Sequence, residues 1–342
     1  MSEPIEVLSP AEAVHGNDRW YELRRAGITA SEIAVVLGIS PYGSPFSLYW
    51  QKANDWRDDG NVYTSAGRHL EDAIADWWIA DSGTDAACEL VCHSAGLYAH
   101  PERTWQLATP DRLLCDGQMH DNPFPDDPFY LYDHPLQNVA ALLECKWVAY
   151  SWDGWGEPGT DDIPVYYRAQ ALWQLDTLGV DEVHFAVLGP GGFRAYGPIR
   201  RDEKDLRVMR AAGKAFHDRL QSGDAPDIDS HTATLSTLKR LHPSLGDGDV
   251  EVPVELAETY RRARALKKRA EEAVDRCEAH IRVALGSEFN RAVVGKKLVA
   301  SRSIYEQSGD SAELTALEGD WPVVDRLNPG RSATYIQEAT SA

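Results

Sequence analysis

A carboxylate and an ammonium stand two residues apart inside an otherwise apolar run, and few folds can bury such a pair. The stretch VAALLECKWV (139–148) is nearly continuous in apolar side chains, as a strand covered on both faces should be, yet Glu144 and Lys146 interrupt it. Strand alternation places both on one face. Charge is costly to bury, so the pair requires a purpose. A mutual ion pair at a sheet end meets that requirement as well as a catalytic site does, since E-x-K tripeptides are common. A second signal, Thr109-Pro110-Asp111, closes TWQLATPD (104–111), which reads as the preceding strand. Its proline ends or bends the strand and leaves Asp111 at a rim where it can point at Glu144; Asp after Pro is also ordinary turn chemistry. The third is Glu71 in GRHLED, on a helix over about 65–80, where Leu70 and Ile74 set it near the inner edge. Taken alone, that Glu reads as a solvated helix-face carboxylate.

Together these residue types suit phosphodiester hydrolysis. The reaction needs an activated water, an offset for phosphate charge and a stabilised leaving oxygen, all of which a hard divalent cation on carboxylates supplies. Asp111 and Glu144 are the expected ligands, with the Cys145 backbone carbonyl as a further one. Glu71 would complete the shell or place a second metal. Lys146 would orient or help deprotonate the water and offset phosphate charge. The expected cofactor is Mg²⁺, with Mn²⁺ able to substitute.

The rest of the chain arranges helices and strands around this region. Residues 11–38 read as helical, with Thr29 as an N-cap, Glu32 three residues on and Gly38 as a stop. SPYGSP (40–45) is a turn and 47–54 a short helix. A Pro- and Asp-rich loop fills 117–136, and a tryptophan-rich loop 150–160. A helix at 164–179, a strand at 183–189, an edge strand near 193–199 and an amphipathic helix at 201–220 follow. The period fails at 221–250, so the expected division is a core of 1–225 and an extension of 226–342 with one long helix (252–285) and a small β element. The expected class is therefore α/β (α+β), a central mixed sheet flanked by helices.

Composition limits the partners. No run of about 18 apolar residues exists, and MSEPIEVLSPAEAV lacks the form of a signal peptide, so a cytoplasmic location is expected. The five cysteines (Cys88, Cys92, Cys115, Cys145, Cys277) read as free thiols; Cys88 and Cys92 have a metal-compatible gap but no second pair follows. A net charge of −20 argues at first against a nucleic-acid partner, although basic residues gather at Arg24–Arg25, 200–214 and 261–269. Trp147, Trp152 and Trp155, just after Lys146, read either as packing or as surfaces for frayed bases.

The ordered motifs L23-R-R-A-G-I-T-A-S31-E-I-A-V-V-L-G-I-S-P-Y42, AGRHLED, ATPD, LLECK and YYRAQALWQLDTLG resemble the YqaJ-type viral recombinases, relatives of phage lambda exonuclease with a PD-(D/E)XK core. The resemblance covers about residues 15–190. It implies metal ligation by Asp111 and Glu144, Lys146 as the catalytic lysine, Glu71 as the helix carboxylate and Gln170 as the glutamine of the following helix. It also implies that Arg24 and Ser31 hold a 5′-terminal phosphate, which fits bidentate Arg chemistry and a helix start. The implied activity is digestion of linear double-stranded DNA from its 5′ ends, feeding a single-strand annealing protein, and the implied assembly is a trimer. Arg112 departs from the usual glycine after the Asp, and about 32 residues between Asp111 and Glu144 is a long interval. A restriction-like endonuclease of the same superfold and a non-catalytic DNA-end-binding module are the competing readings.

Overall fold

A computed structural model describes residues 3–57, 60–81, 90–116, 139–244, 246–304 and 312–316. The chain divides into two compact units, Met1–Leu245 and Gly246–Ala342.

The first unit begins with β1 (Ile5–Leu8) and α1 (Asp18–Ala26), the latter capped by the Asn17 side chain, which accepts from the Arg19 N–H at 2.9 Å. Continuous helix over 11–38 is not what forms: β2 (Ile28–Thr29) separates α1 from α2 (Ala30–Val36). Gly27 is the physical reason, because a Cβ there would lie 2.6 Å from Leu107 Cδ1 and 2.7 Å from the Trp105 carbonyl. The expected helix start at Thr29 holds, with Glu32 accepting the Thr29 N–H at 2.9 Å. Then come α3 (Pro45–Ala53), α4 (Val62–Asp81), β3 (Leu90–Ser94), β4 (Leu97–Ala99) and β5 (Gln106–Ala108). There follow β6 (Arg112–Asp116), β7 (Val139–Trp147), α5 (Val165–Leu178), β8 (Glu182–Gly189) and β9 (Gly192–Arg200). The unit closes with α6 (Glu203–Ser222) and α7 (Thr232–Leu241).

Its main sheet has the order β3-β6-β7-β8-β9, antiparallel except for β7 and β8, which run parallel. A parallel pair needs a crossover, and α5 supplies it. Odd residues of β7 (Leu143, Cys145) pack with Ile74 and Trp78 of α4, while Leu142 packs with Leu172 and Leu175 of α5. A smaller sheet, β1-β4-β5-β2, lies in the same unit.

TWQLATPD departs from its expected form. Only Gln106–Ala108 is strand, and it belongs to the smaller sheet. After Pro110 the chain changes sheets, Asp111 sits in a bend, and β6, which the sequence reading missed, pairs with β7 through Arg112↔Leu143. The 117–136 insert and Cys88 lie outside the described residues. The first unit runs past 225 because α7 returns to α3, where Ser44 Oγ and Thr234 Oγ1 share a buried hydrogen bond of 2.6 Å. In the second unit α8 (Val254–Leu285) precedes an antiparallel sheet of β10 (Arg291–Val294), β11 (Lys297–Ile304) and β12 (Ala312–Ala316).

Candidate active site

The bend before β6 and the end of β7 bring three of the expected side chains into contact. Glu144 is fully buried at 0% exposure. Its carboxylate is pinned from three sides: Gln174 Nε2 donates to Oε1 at 2.5 Å, Gln170 Nε2 donates to Oε2 at 2.6 Å, and Lys146 donates to Oε2. Lys146 Nζ also lies 3.7 Å from Asp111 Oδ2, so one ammonium bridges the two carboxylates. Asp111 Oδ2 in turn accepts the Cys145 N–H at 2.7 Å, which ties the bend to the C-terminal end of β7. The two glutamines are four residues apart on α5, one helical turn, so both reach the same carboxylate.

Glu71 reaches this group indirectly. Arg112, buried at the start of β6, donates to Glu71 Oε1 at 2.7 Å and to the Asp111 carbonyl at 2.6 Å, and also pairs with Asp72. The arginine that replaces the usual glycine therefore clamps the α4 carboxylate to the Asp111 bend. Gln174 is the site residue that sequence reasoning missed; its spacing of four from Gln170 was the available signal.

The electrostatics are those of crowded carboxylates. Burial, and then the Asp111 charge, push the Glu144 carboxyl up to about 7 despite Lys146 and Gln174. Burial and Asp111 also raise Glu71, against the pull of Arg112. For Lys146, burial alone would favour the neutral amine, but the charges of Glu144 and Asp111 outweigh it and hold the ammonium well above its usual range. Lys146 therefore stands ready as a donor and a positive charge rather than as a free base.

Among the described residues no three His, Cys, Asp or Glu side chains converge on one point in the manner of a closed metal cage. The donor set nevertheless fits a hard cation. Asp111 and Glu144 offer carboxylate oxygens on either side of the single Lys146 ammonium. Mg²⁺ takes few protein oxygens and keeps several waters, so a pair of carboxylates is a sufficient protein contribution.

Arg24 and Ser31 meet each other in a separate corner of α1 and α2. Arg24 Nη2 donates to Ser31 Oγ at 3.3 Å, while the Arg24 guanidinium covers the Trp20 ring at 4.4 Å. Beneath them Lys52 is buried, donating to Gly27 O at 2.9 Å, to Glu32 Oε2 at 2.9 Å and to the Arg24 carbonyl. Arg24 opens onto a cavity of about 350 Å³ that Arg25, Arg57 and Arg68 also line.

The three tryptophans after Lys146 differ in position. Trp155 packs against Tyr196 at 4.8 Å and Phe185 at 6.3 Å. Trp152 lies flush on Gly189, where a Cβ would meet the indole at 2.4 Å, and donates to Pro190 O. Trp147 stacks on Tyr63.

Asp111 in the bend before β6, Glu144-x-Lys146 on the neighbouring β7 and the Glu71 carboxylate of α4 alongside are the placement that the PD-(D/E)XK resemblance implies. Residues 19–181 match the family model described as the YqaJ-like viral recombinase domain. The match falls on the stretch whose motifs resemble that family. The uncharacterised protein YqaJ of Bacillus subtilis (strain 168) is 26% identical over 247 residues, 70% of this chain and 68% of its own. Among solved structures, the alkaline exonuclease LHK-Exo of Laribacter hongkongensis aligns with a TM-score of 0.42 at 18% identity, over 66% of this chain and 98% of that one. LHK-Exo in complex with dAMP aligns with a TM-score of 0.43 at the same identity and coverage. No helix among the described residues is long and apolar enough to cross a membrane.

Proposed function

We propose that this chain is a metal-dependent deoxyribonuclease that digests linear double-stranded DNA from its 5′ ends. The observation that carries the reading is the convergence of Asp111 and Glu144 on the Lys146 ammonium, with Glu144 fixed by two glutamines. Bound Mg²⁺ would supply Lewis-acid activation of water and charge neutralisation at the phosphate.

The protein's own groups do the remaining work. Asp111 and Glu144 would hold the cation, with the Cys145 backbone carbonyl as a further ligand. Gln170 and Gln174 fix the Glu144 carboxylate in one orientation, so no reorganisation is needed during turnover. Glu71 adds a further carboxylate on the α4 side, held by Arg112. Lys146, kept protonated, aligns the attacking water by donating to it and offsets charge on the phosphodiester. Arg24 and Ser31 receive the terminal 5′-phosphate, their free donors matching its oxygens. Removal of the 5′ strand leaves a 3′ single strand, the product that a single-strand annealing protein takes up. A ring-shaped trimer would enclose the duplex, as the family resemblance implies.

The test is digestion of linear duplex DNA, labelled separately at the 5′ and 3′ ends, with Mg²⁺ or with chelator. Mg²⁺-dependent loss from phosphorylated 5′ ends, with closed circles untouched, is the expected result. Cutting of closed circles would establish an endonuclease instead. DNA binding without cutting under any divalent metal would establish a binding module.

A further inference from the structure

One aromatic group, packed on the core only through Trp147, has no part in the proposed chemistry. β7 runs directly from Lys146 into Trp147, whose side chain turns to the α4 face and packs at the edge of the cluster around Leu70 and Ile74. Tyr63, in the first turn of α4, stacks on Trp147 with ring centres 6.2 Å apart and planes at 30°. Tyr150, from the loop after β7, meets Tyr63 edge-on at 5.8 Å, and the two hydroxyls share a 2.5 Å hydrogen bond. Tyr63 is 45% and Tyr150 77% exposed, so large ring faces stand in water. Glu71 lies on the same helix as Tyr63, about 12 Å further along its axis.

We infer that Tyr63, Trp147 and Tyr150 are a nucleobase platform that receives an unstacked base of the DNA end while its phosphodiester sits at Lys146. The inference rests on the nuclease reading above. A terminal base must leave its stack for the backbone to reach Lys146, and an aromatic surface one residue further along β7, on the side of the α4 helix that carries Glu71, replaces the lost stacking. The platform offers flat, uncharged rings, and stacking of that kind tolerates every base, as an exonuclease requires. The hydroxyl–hydroxyl bond joins two elements and holds the rings in place before DNA arrives, which lowers the ordering cost of binding. Trp152 and Trp155, packed against Gly189, Tyr196 and Phe185, take no part.

The experiment uses the full chain in chelator, so that no strand is cut. The DNA is a 5′-phosphorylated duplex with 2-aminopurine as a frayed terminal base, and binding is read separately by anisotropy. Wild-type protein is expected to quench the 2-aminopurine fluorescence. Tyr63→Leu/Tyr150→Leu, which alters exposed rings only, is expected to abolish the quench and weaken binding about tenfold. On a duplex whose terminal nucleotide is abasic, wild type and variant should bind alike. Binding with equal quench in wild type and variant overturns the platform while leaving the nuclease reading intact. A tenfold gap that persists on the abasic end also overturns it, because the rings would then act on something other than a base. No binding to any DNA end would overturn the platform and the nuclease reading together.

Discussion

At the scale of single residues the site is a competition among carboxylates for one lysine, and two predictions follow from who holds what. Removing the ammonium in Lys146→Ala leaves the DNA-facing surface in place but removes the donor and charge aimed at the phosphate. Cutting should fall by about 10²–10⁴ while DNA affinity is retained, as read by single-turnover digestion beside anisotropy. Wild-type turnover in that variant would remove Lys146 from the chemistry. The second prediction concerns Glu144, whose carboxyl is held up to about 7 by burial and by Asp111. An unfolded Glu ionises near 4.3, so the metal-free native state binds the extra proton between those values. Its stability therefore falls as pH climbs from about 4.3 and levels off above about 7. A divalent cation competes with that proton. The rise in Tm on adding Mg²⁺ should accordingly be small at pH 5.5 and large at pH 8, with its midpoint near 7 or below, and Glu144→Gln should abolish it. An Mg²⁺ shift independent of pH would separate Glu144 from the metal.

At the scale of elements, α5 is the piece that organises the site, and its far end carries a second buried charge. Asp176 has a side chain only 1% exposed, yet Arg210 chelates it with Nε at 2.9 Å and Nη2 at 2.5 Å, and Arg103 and Arg201 add contacts of 2.8 and 2.7 Å. Burial would raise the Asp176 carboxyl, but the hydrogen bonds from Arg210 and Gln106 and the charges of Arg210 and Arg103 hold it well below the carboxylate range. A depressed folded pKa contributes stability above the unfolded value of about 3.9 and loses it as pH falls toward the folded one. Asp176→Asn should cost about 3 kcal/mol at pH 7, measured by urea unfolding, and the gap to wild type should begin to narrow only as pH falls below about 4. Equal midpoints at neutral pH would show that the three arginines are satisfied elsewhere. The α1–α2 corner makes a separate prediction: Arg24→Ala should reduce the preference for 5′-phosphorylated over 5′-hydroxyl ends without slowing the cutting of the latter. An unchanged preference would take Arg24 out of end recognition.

These elements also show what the sequence could reveal. Glu144 and Lys146 were legible because they break the apolar pattern of a buried strand, and Thr29 with Glu32 because a capping box is local. Gln170 was readable only through the family motif, and Gln174 could have been found one turn later. The Asp176 cluster was not legible: its arginines come from positions 103, 201 and 210, and only the tertiary fold brings them to α5. Strand β6 was missed for a related reason, since Asp111 looks like the end of one strand when the chain is in fact changing sheets. Arg112 looked like a departure from the motif, and its clamp on Glu71 becomes visible only when α4 is in place.

At the scale of the whole molecule the two units differ in how much they bury. The large clusters around Trp173 and Tyr98, around Leu143 and around Leu97 all belong to Met1–Leu245, together with the proposed site. Among the described residues of Gly246–Ala342 the buried cluster is Leu285 and Ala300, with Ile281 and Ala292 packed against it. Such a small core stabilises little on its own. A chain ending at residue 245 should therefore keep the main cooperative melting transition and its Mg²⁺-dependent cutting. The basic run 261–269 on α8 invites the opposite expectation, a DNA-backbone contact. Yet Arg262, Lys267 and Lys268 already pair with Glu258, Glu271 and Glu272 along the same helix. Only the remaining arginines would be free to displace counterions, so the slope of log K against log salt could change by about 3 at most. We expect the shortened chain and the full chain to bind linear duplex with the same slope. A slope reduced by about 2–3 on removing the second unit, with the melting transition intact, would instead make α8 part of the DNA-binding surface.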